Sequence, residues 1–393
     1  MASNNIQQEG MLPVGTTLQG GKYRIERVLG QGGFGITYLA KYTSNGRKVA
    51  IKELFVNQEG LAINDRNGSE VVVTSSMNQE LFNALRAKFK KEALRLTHFV
   101  HPNLVKVNDF FEENGTAYYT MQYIEGESLK KKLNREGAMS ETLVLDYARQ
   151  VLSALEVVHR EKIWHLDIKP DNIMVDGNDN VYLIDFGASK HIEKSGILTT
   201  SLDLTYTPAY CAPEMKDLSM VTPEERSEAL KEIGAWTDLY SLGATMYNLL
   251  TESIPPSSVR INKVGRNAYK FPSGVSSSTK NLILKMMNPN KEDRPRNALE
   301  VVSLMTDNEG TIVDPRNGTG EVGHRKTKQE LEREANEYYK QHDIEILNKY
   351  GFFEQKRKRQ RSTIWMSTLV VWCILFICAF ILIEAEGWAH DSP

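Results

Sequence analysis

Near Tyr123 the hydrophobic period of this chain changes, and no other feature restricts the fold more. From Tyr23 to about Asp109 apolar and polar residues alternate as in strands, with glycines at Gly30, Gly32, Gly33 and Gly35 and the strand-like run Lys48–Lys52. One helical stretch interrupts, from about Phe82 to Phe99. In it Phe89, Glu92, Ala93 and Leu96 fall at i, i+3, i+4 and i+7, so a carboxylate shares the apolar face. After the strand Ala117–Tyr123 the spacing becomes helical: Val144, Tyr147, Ala148, Val151, Leu155 and Val158 form one stripe. Two short strand-like pieces, Ile173–Val175 and Val181–Ile184, and helices around Thr237–Leu250 and Ser277–Met287 complete a mainly helical half. The polar, Asn/Ser-rich stretch Leu54–Gln79 reads as an insertion. Residues 1–22 read as a flexible tail, without the basic-then-apolar pattern of a secretory signal.

Residues 306–363 form a linker: Thr306–Gly323 is rich in Gly, Asn, Asp and Thr, and a charged helical stretch follows over about Thr327–Phe353. Then come Lys356, Arg357, Lys358, Arg359 and Arg361, and next Ile364–Ile383, twenty residues without a formal charge. At about 1.5 Å per residue this stretch is about 30 Å long, the thickness of a bilayer's hydrocarbon core. A buried core helix of that length seldom lacks charge on every face, so a transmembrane helix is expected. The basic residues precede it and only Glu384, Glu386 and Asp391 follow, which puts the preceding domain in the cytoplasm and 384–393 outside as a short tail. With 48 Lys+Arg against 50 Asp+Glu, general basicity for a nucleic-acid partner is missing. Of three cysteines, Cys373 and Cys378 lie in the apolar stretch and Cys211 stands alone, which excludes a disulfide framework.

The chemistry-bearing residues lie at fixed intervals. Gly30-Gln31-Gly32-Gly33-Phe34-Gly35 has the G-x-G-x-x-G spacing, in which missing side chains let backbone N–H groups approach phosphate oxygens. Alone it also fits a glycine-rich hairpin; a dinucleotide fingerprint is disfavoured because the next element is a strand. Lys52 in V-A-I-K follows Gly35 by seventeen residues. Asp167 sits in H-L-D-I-K-P-D-N, Asp185 in D-F-G thirteen residues after Asn172, and Glu214 in A-P-E.

This combination resembles the protein kinases of the Ser/Thr class over Tyr23–Met305, about seven-tenths of the chain, and is most similar to the bacterial eukaryotic-like (Hanks-type) kinases. The resemblance implies an α+β, bilobal fold: a β-rich small lobe over about residues 23–120, a helical large lobe over about 125–305, and ATP between them. It implies ATP contacts from Leu29, Gly30, Gln31, Gly32, Gly33, Phe34, Gly35, Ile36, Thr37 and Ala50, from Met121, and from hinge backbone at Gln122 and Ile124. Lys52 would hold the α- and β-phosphates, aimed by Glu92. Asp185 and Asn172 would hold Mg²⁺ or Mn²⁺, for which oxygen ligands are suited. Asp167 would orient the substrate hydroxyl, Lys169 would neutralise the γ-phosphate, and Thr207 would help dock the substrate. Asp238 would anchor the catalytic loop and Arg294 would pair with Glu214. Protein substrates with Ser or Thr acceptors follow, as does a single-pass location in the bacterial inner membrane. The juxtamembrane or transmembrane helix offers a surface for a homodimer.

Departures from the family pattern are Thr37 for Val, Gln122 for Glu at the hinge, Leu166 for the Arg before the catalytic Asp, and Tyr206 for Gly. Leucine cannot pair with a phosphate, so phosphorylation of Ser195, Thr199, Thr200, Ser201 or Thr205 should not be the main on-switch. A pseudokinase scaffold is the alternative, disfavoured because Lys52, Asp167, Asn172 and Asp185 are all present. Lys169 and Thr207 disfavour a tyrosine kinase.

Overall fold

The computed structural model describes residues 10–56, 63–186, 190–191, 207, 209–217, 230–256, 261 and 264–306. Alternating β-branched and aromatic residues build the first sheet. Strands β1 (Thr17–Leu18), β2 (Tyr23–Gly32), β3 (Gly35–Tyr42) and β4 (Lys48–Leu54) precede a hairpin of β5 (Asn64–Asn67) and β6 (Glu70–Val73). Helix α1 (Ser76–Leu96) follows, then β7 (Val107–Glu113) and β8 (Thr116–Gln122). The main sheet runs β1-β2-β3-β4-β8-β7, antiparallel throughout. Helix α1 buries Phe82, Leu85, Phe89, Ala93 and Leu96, spaced by three and four, and packs on β7 and β8.

Three expectations change here. The tail is ordered from residue 10: Leu12 and Leu18 are buried, and β1 pairs with β2. The insertion contains the β5–β6 hairpin, whose polar N-D-R-N strand carries little β signal. Helix α1 begins at Ser76 instead of near Phe82, because the Ser75 hydroxyl caps it by accepting from Asn78 N–H at 3.2 Å. That first turn is polar and invisible to an apolar-period search.

The second half holds β9 (Gly126–Ser128), α2 (Leu129–Glu136), α3 (Glu141–Arg160), β10 (Ile163–Trp164), β11 (Ile173–Asp176), β12 (Val181–Leu183) and β13 (Lys190–His191). Helices α4 (Pro213–Asp217), α5 (Ala235–Thr251), α6 (Ser277–Met286) and α7 (Ala298–Thr306) complete it. All six residues of the expected α3 stripe are buried. Helix α5, apolar on almost every side, is buried against α3 and α6, and α7 packs on the same two. A second sheet runs β12-β11-β9, antiparallel. A Cβ on Gly126 would come within 2.0 Å of the Val175 carbonyl oxygen, so only glycine lets β9 approach β11.

The charged helical stretch, the span Ile364–Ile383 and the tail 384–393 lie outside the described residues, as do Ser195, Thr199, Thr200, Ser201, Thr205 and Tyr206. Among the described residues no helix is long and apolar enough to cross a membrane.

Candidate active site

The glycine motif forms the turn between β2 and β3, with Gly32 paired to Gly35 and Gly30 to Thr37. A Cβ on Gly30 or Gly33 would meet nothing within 4 Å, so both positions lie open to an incoming group. At Gly35 a Cβ would come 2.7 Å from the Glu53 carbonyl oxygen and 3.5 Å from Lys52 Cε. Glycine there lets the turn lie directly against the lysine stem. Ile36 is buried, Leu29, Phe34 and Thr37 are half-buried, and Gln31 is exposed.

At the other side of β4, Ala50 pairs with Met121 of β8. The N–H of Gln122 donates to the Lys106 carbonyl at 2.8 Å, which narrows what this hinge residue can offer a purine to its carbonyl. Ile124 is buried next to it.

Lys52 projects from β4 and its Nζ lies 2.5 Å from Asp185 Oδ1. Glu92 shares this pocket from α1, as its place on the apolar face requires, but it does not close on Lys52. Its Oε1 is buried without a hydrogen-bond partner. Burial pushes the Glu92 carboxyl up to about 7 against the pull of Lys52, with Asp185 adding to the rise. Near neutrality Glu92 is therefore only partly ionised, and the partner left for the ammonium is Asp185. Burial works against the Lys52 ammonium, but Asp185, Tyr119 and Glu92 overcome it and hold its pKa above the ordinary value. The expected aiming of Lys52 by Glu92 is replaced here by a Lys52–Asp185 pair.

Tyr119, which sequence reasoning passed over, stands directly across from Lys52 on β8, its ring centroid 5.9 Å from Nζ. It also packs on Phe89 of α1, centroids 4.9 Å apart, and so links the lysine strand to the Glu92 helix. Its position two residues before Met121, on the same strand face, is the signal that could have found it.

The loop that carries Asp167 is held from beneath. Asp238 at the start of α5 is fully buried and accepts from the N–H groups of His165 (2.8 Å) and Leu166 (2.7 Å) and faces His159 Nε2 at 2.8 Å. These bonds hold Leu166 at φ +64°, a left-handed backbone seldom adopted by leucine. The Leu166 side chain is buried, where an arginine would be stranded. Asp185 also has a left-handed backbone, φ +61°. Phe186 packs on His165, centroids 4.6 Å apart, and His165 Nε2 lies 3.0 Å from the Ile184 carbonyl, so the two loops are tied together.

Above that base four polar side chains meet. Asn172 Nδ2 donates to Asp167 Oδ2 at 2.8 Å, and Lys169 Nζ lies 2.8 Å from the same oxygen. Lys169 also donates to Thr207 Oγ1 at 2.7 Å, and the Thr207 hydroxyl donates to Asp167 Oδ1 at 3.0 Å. Arg294 binds Glu214 through both terminal guanidinium nitrogens, at 2.8 and 3.0 Å. Both pairings match the expected roles of Asp238 and Arg294 as supports.

The donor set suits a divalent ion held with phosphate. Among the described residues no three His, Cys, Asp or Glu side chains gather as a cage. Mg²⁺ seldom uses one, taking one or two carboxylates plus phosphate oxygens and water. Asp185, with 45% of its side chain exposed, and the Asn172 amide oxygen, left free of Asp167 by the Nδ2 bond, are such ligands.

Comparison with known proteins points the same way. The family described as protein kinase domain matches residues 23–304. CBL-interacting serine/threonine-protein kinase 7 of Arabidopsis thaliana is 29% identical over 281 residues, covering 70% of this chain and 57% of its own. Serine/threonine-protein kinase PrkC of Bacillus subtilis (strain 168) is 27% identical over 378 residues, 92% of this chain and 52% of its own. The chain thus spans about half the length of these curated relatives. The solved structure "PpkA-294 apo form" superposes with a TM-score of 0.62 at 28% identity, covering 75% of this chain and 99% of that one.

Proposed function

From the premise that the chain belongs to the protein kinase domain family, we propose that it is a serine/threonine protein kinase that transfers the γ-phosphoryl group of ATP to Ser and Thr hydroxyls of proteins, itself included. One observation carries this reading. An aliphatic hydroxyl, that of Thr207, already sits between the Asp167 carboxylate and the Lys169 ammonium, donating to the first and accepting from the second. A substrate hydroxyl held the same way has its proton directed at a base and its lone pair beside a positive charge. Little covalent work remains for the protein in phosphoryl transfer, so such positioning supplies most of the rate.

Mg-ATP, when bound, supplies the phosphoryl group and the ion that neutralises it. The protein's part is to hold and orient. The open faces of Gly30 and Gly33 admit phosphate to backbone N–H groups, and Lys52 lies against Gly35 to meet it. Asp185 and Asn172 offer the ion oxygen. Asn172 and Lys169 both fix Asp167 Oδ2, and Oδ1, which accepts one bond from the Thr207 hydroxyl, keeps its second lone pair for the acceptor hydroxyl.

The charge-free stretch Ile364–Ile383 behind five basic residues supports a membrane-tethered kinase, its catalytic domain on the cytoplasmic side of a bacterial inner membrane. The test is transfer of labelled phosphate by the purified full chain to itself and to a generic acceptor protein, followed by phosphoamino-acid analysis. Phosphoserine and phosphothreonine are expected, with at least a thousandfold loss in Asp185→Ala, about 4 kcal/mol of barrier. No transfer with either Mg²⁺ or Mn²⁺ would make the protein a binding scaffold.

A further inference from the structure

Lys52 and Glu53 are neighbours on β4, so they point to opposite faces of the sheet. Lys52 enters the cleft, and Glu53 enters a second buried polar cluster behind it. Glu53 is fully buried. Its Oε1 accepts from the Tyr118 hydroxyl at 2.6 Å, and its Oε2 accepts from the Tyr38 hydroxyl at 2.7 Å and from Arg66 Nη2 at 2.5 Å. The strand register accounts for the tyrosines. Tyr118 lies directly opposite Glu53 on β8, and Tyr38 lies one diagonal away on β3, opposite Ile51.

Arg66 comes from outside that sheet, from β5 of the inserted hairpin. Two further N–H groups donate, Nε to the Gly10 carbonyl (2.7 Å) and Nη1 to the Ser69 carbonyl (2.9 Å). One guanidinium therefore ties the N-terminal segment, the hairpin and β4 together. Further bonds join the hairpin to its surroundings. Val56 N–H donates to Asn64 Oδ1 at 2.9 Å, and Val71 N–H to the Asn114 carbonyl, in the β7–β8 turn, at 2.8 Å. Only Thr74 and Ser75 separate β6 from α1. Thr74 bonds to the Ile63 carbonyl through both its N–H (3.0 Å) and its hydroxyl (3.1 Å), and Ser75 caps the helix. Little slack remains between the hairpin and α1.

We infer that Arg66 is a positioning residue for the phosphotransfer site: by clasping Glu53 on the back of the strand that carries Lys52, it fixes the hairpin from which α1 springs, and so sets how Glu92 stands toward Lys52. The inference rests on the kinase reading above. A buried ion pair adds little net stability over apolar residues of the same volume, but a planar fork with several fixed acceptors specifies one position. That is what an anchor point for a helix needs.

The experiment uses the full chain in three forms: wild type, Arg66→Lys, and Glu53→Gln combined with Arg66→Met. The double variant leaves no stranded charge: the single amide oxygen that it places at position 53 accepts from one tyrosine, and the amide NH2 donates to the hydroxyl of the other. Backbone hydrogen exchange is followed in α1 and in α3, alongside kcat/KM for ATP. In the double variant, exchange of amides 76–92 accelerates at least tenfold, α3 exchange is unchanged, and kcat/KM falls at least tenfold. Arg66→Lys, which keeps the charge and loses the fork, shows intermediate changes in both, and this holds the inference to account should the double variant fail to fold. Unaltered α1 exchange, or activity within twofold of wild type, overturns it. Because exchange is read without turnover, an inactive wild type would sink the kinase reading and leave this comparison intact.

Discussion

Glu92 stores a penalty that can be measured. Its carboxyl, ordinarily ionising near 4.5, is pushed up to about 7, first by burial and further by Asp185, with Lys52 opposing. Below about pH 4.5 the group is protonated in both the folded and unfolded chain, and the shift costs nothing. Between about 4.5 and 7 the unfolded chain gives up a proton that the folded one keeps, so stability falls by about 1.4 kcal/mol per pH unit. Above about 7 the loss levels off at about 3 kcal/mol, the product of that slope and the shift, which is an upper bound. Glu92→Gln removes the titration while keeping the shape. The variant should therefore match wild type near pH 4.5 and exceed it at pH 8, by about 5 °C in melting temperature for a domain of this size. Its phosphotransfer activity should nonetheless fall at least tenfold, because once a metal ion engages Asp185 the glutamine leaves Lys52 no second carboxylate to pair with. Melting curves of the full chain from about pH 4.5 to 8, without nucleotide, decide the matter. A glutamine variant that is less stable than wild type at pH 8, or a difference that does not change with pH, would refute the account of Glu92 as an uncompensated buried carboxyl.

Thr207→Val keeps the volume and deletes the hydroxyl between Asp167 and Lys169, so activity on an exogenous protein should fall about a hundredfold, while Thr207→Ser stays within about threefold, both read by initial rates. Replacing Thr199, Thr200, Ser201 and Thr205 together by Ala should lower that rate less than about tenfold, because Leu166 cannot hold a phosphate; a loss of hundreds-fold rescued by acidic substitutes would assign the role to another basic residue. Leu166→Arg should not restore phosphate control but should destabilise the chain by about 3 kcal/mol or more, seen as a lower melting temperature, since its side chain is buried on a left-handed backbone.

The residues that make the site were readable from sequence because each lies in a short segment whose local structure fixes its direction. H-L-D-I-K-P-D-N encodes one tight loop, and within it Asp167, Lys169 and Asn172 converge through neighbours in the chain. Glu92 was placed on the inner face of α1 by period alone, and the burial of Phe89, Ala93 and Leu96 shows why that works: the apolar stripe decides the rotation of the helix, and a carboxylate on the stripe must follow. Asp238 and Arg294 were likewise recoverable, since each sits in a motif and reaches a partner in another.

What the sequence concealed depends on balances between groups far apart in it. Lys52 faces two carboxylates, one 40 residues away and the other 133, and which of them it pairs with follows from how much water each keeps. Glu92 has lost its water, and burial pushes its carboxyl up to about 7; Asp185 is nearly half exposed and keeps much of its water. No spacing rule reports that difference. The hairpin was hidden for a related reason. Asn64–Asn67 has the composition of a loop, and it becomes a strand because Arg66 finds Glu53, two tyrosines and the Gly10 carbonyl already arranged around it. A charged residue in a polar stretch normally stays in water, and nothing local marks Arg66 as different. The partner could have been noticed instead: Glu53 lies on a strand in which Val49, Ala50, Ile51 and Leu54 are buried, and a carboxylate fixed at such a place has to draw a cation toward it from somewhere in the fold.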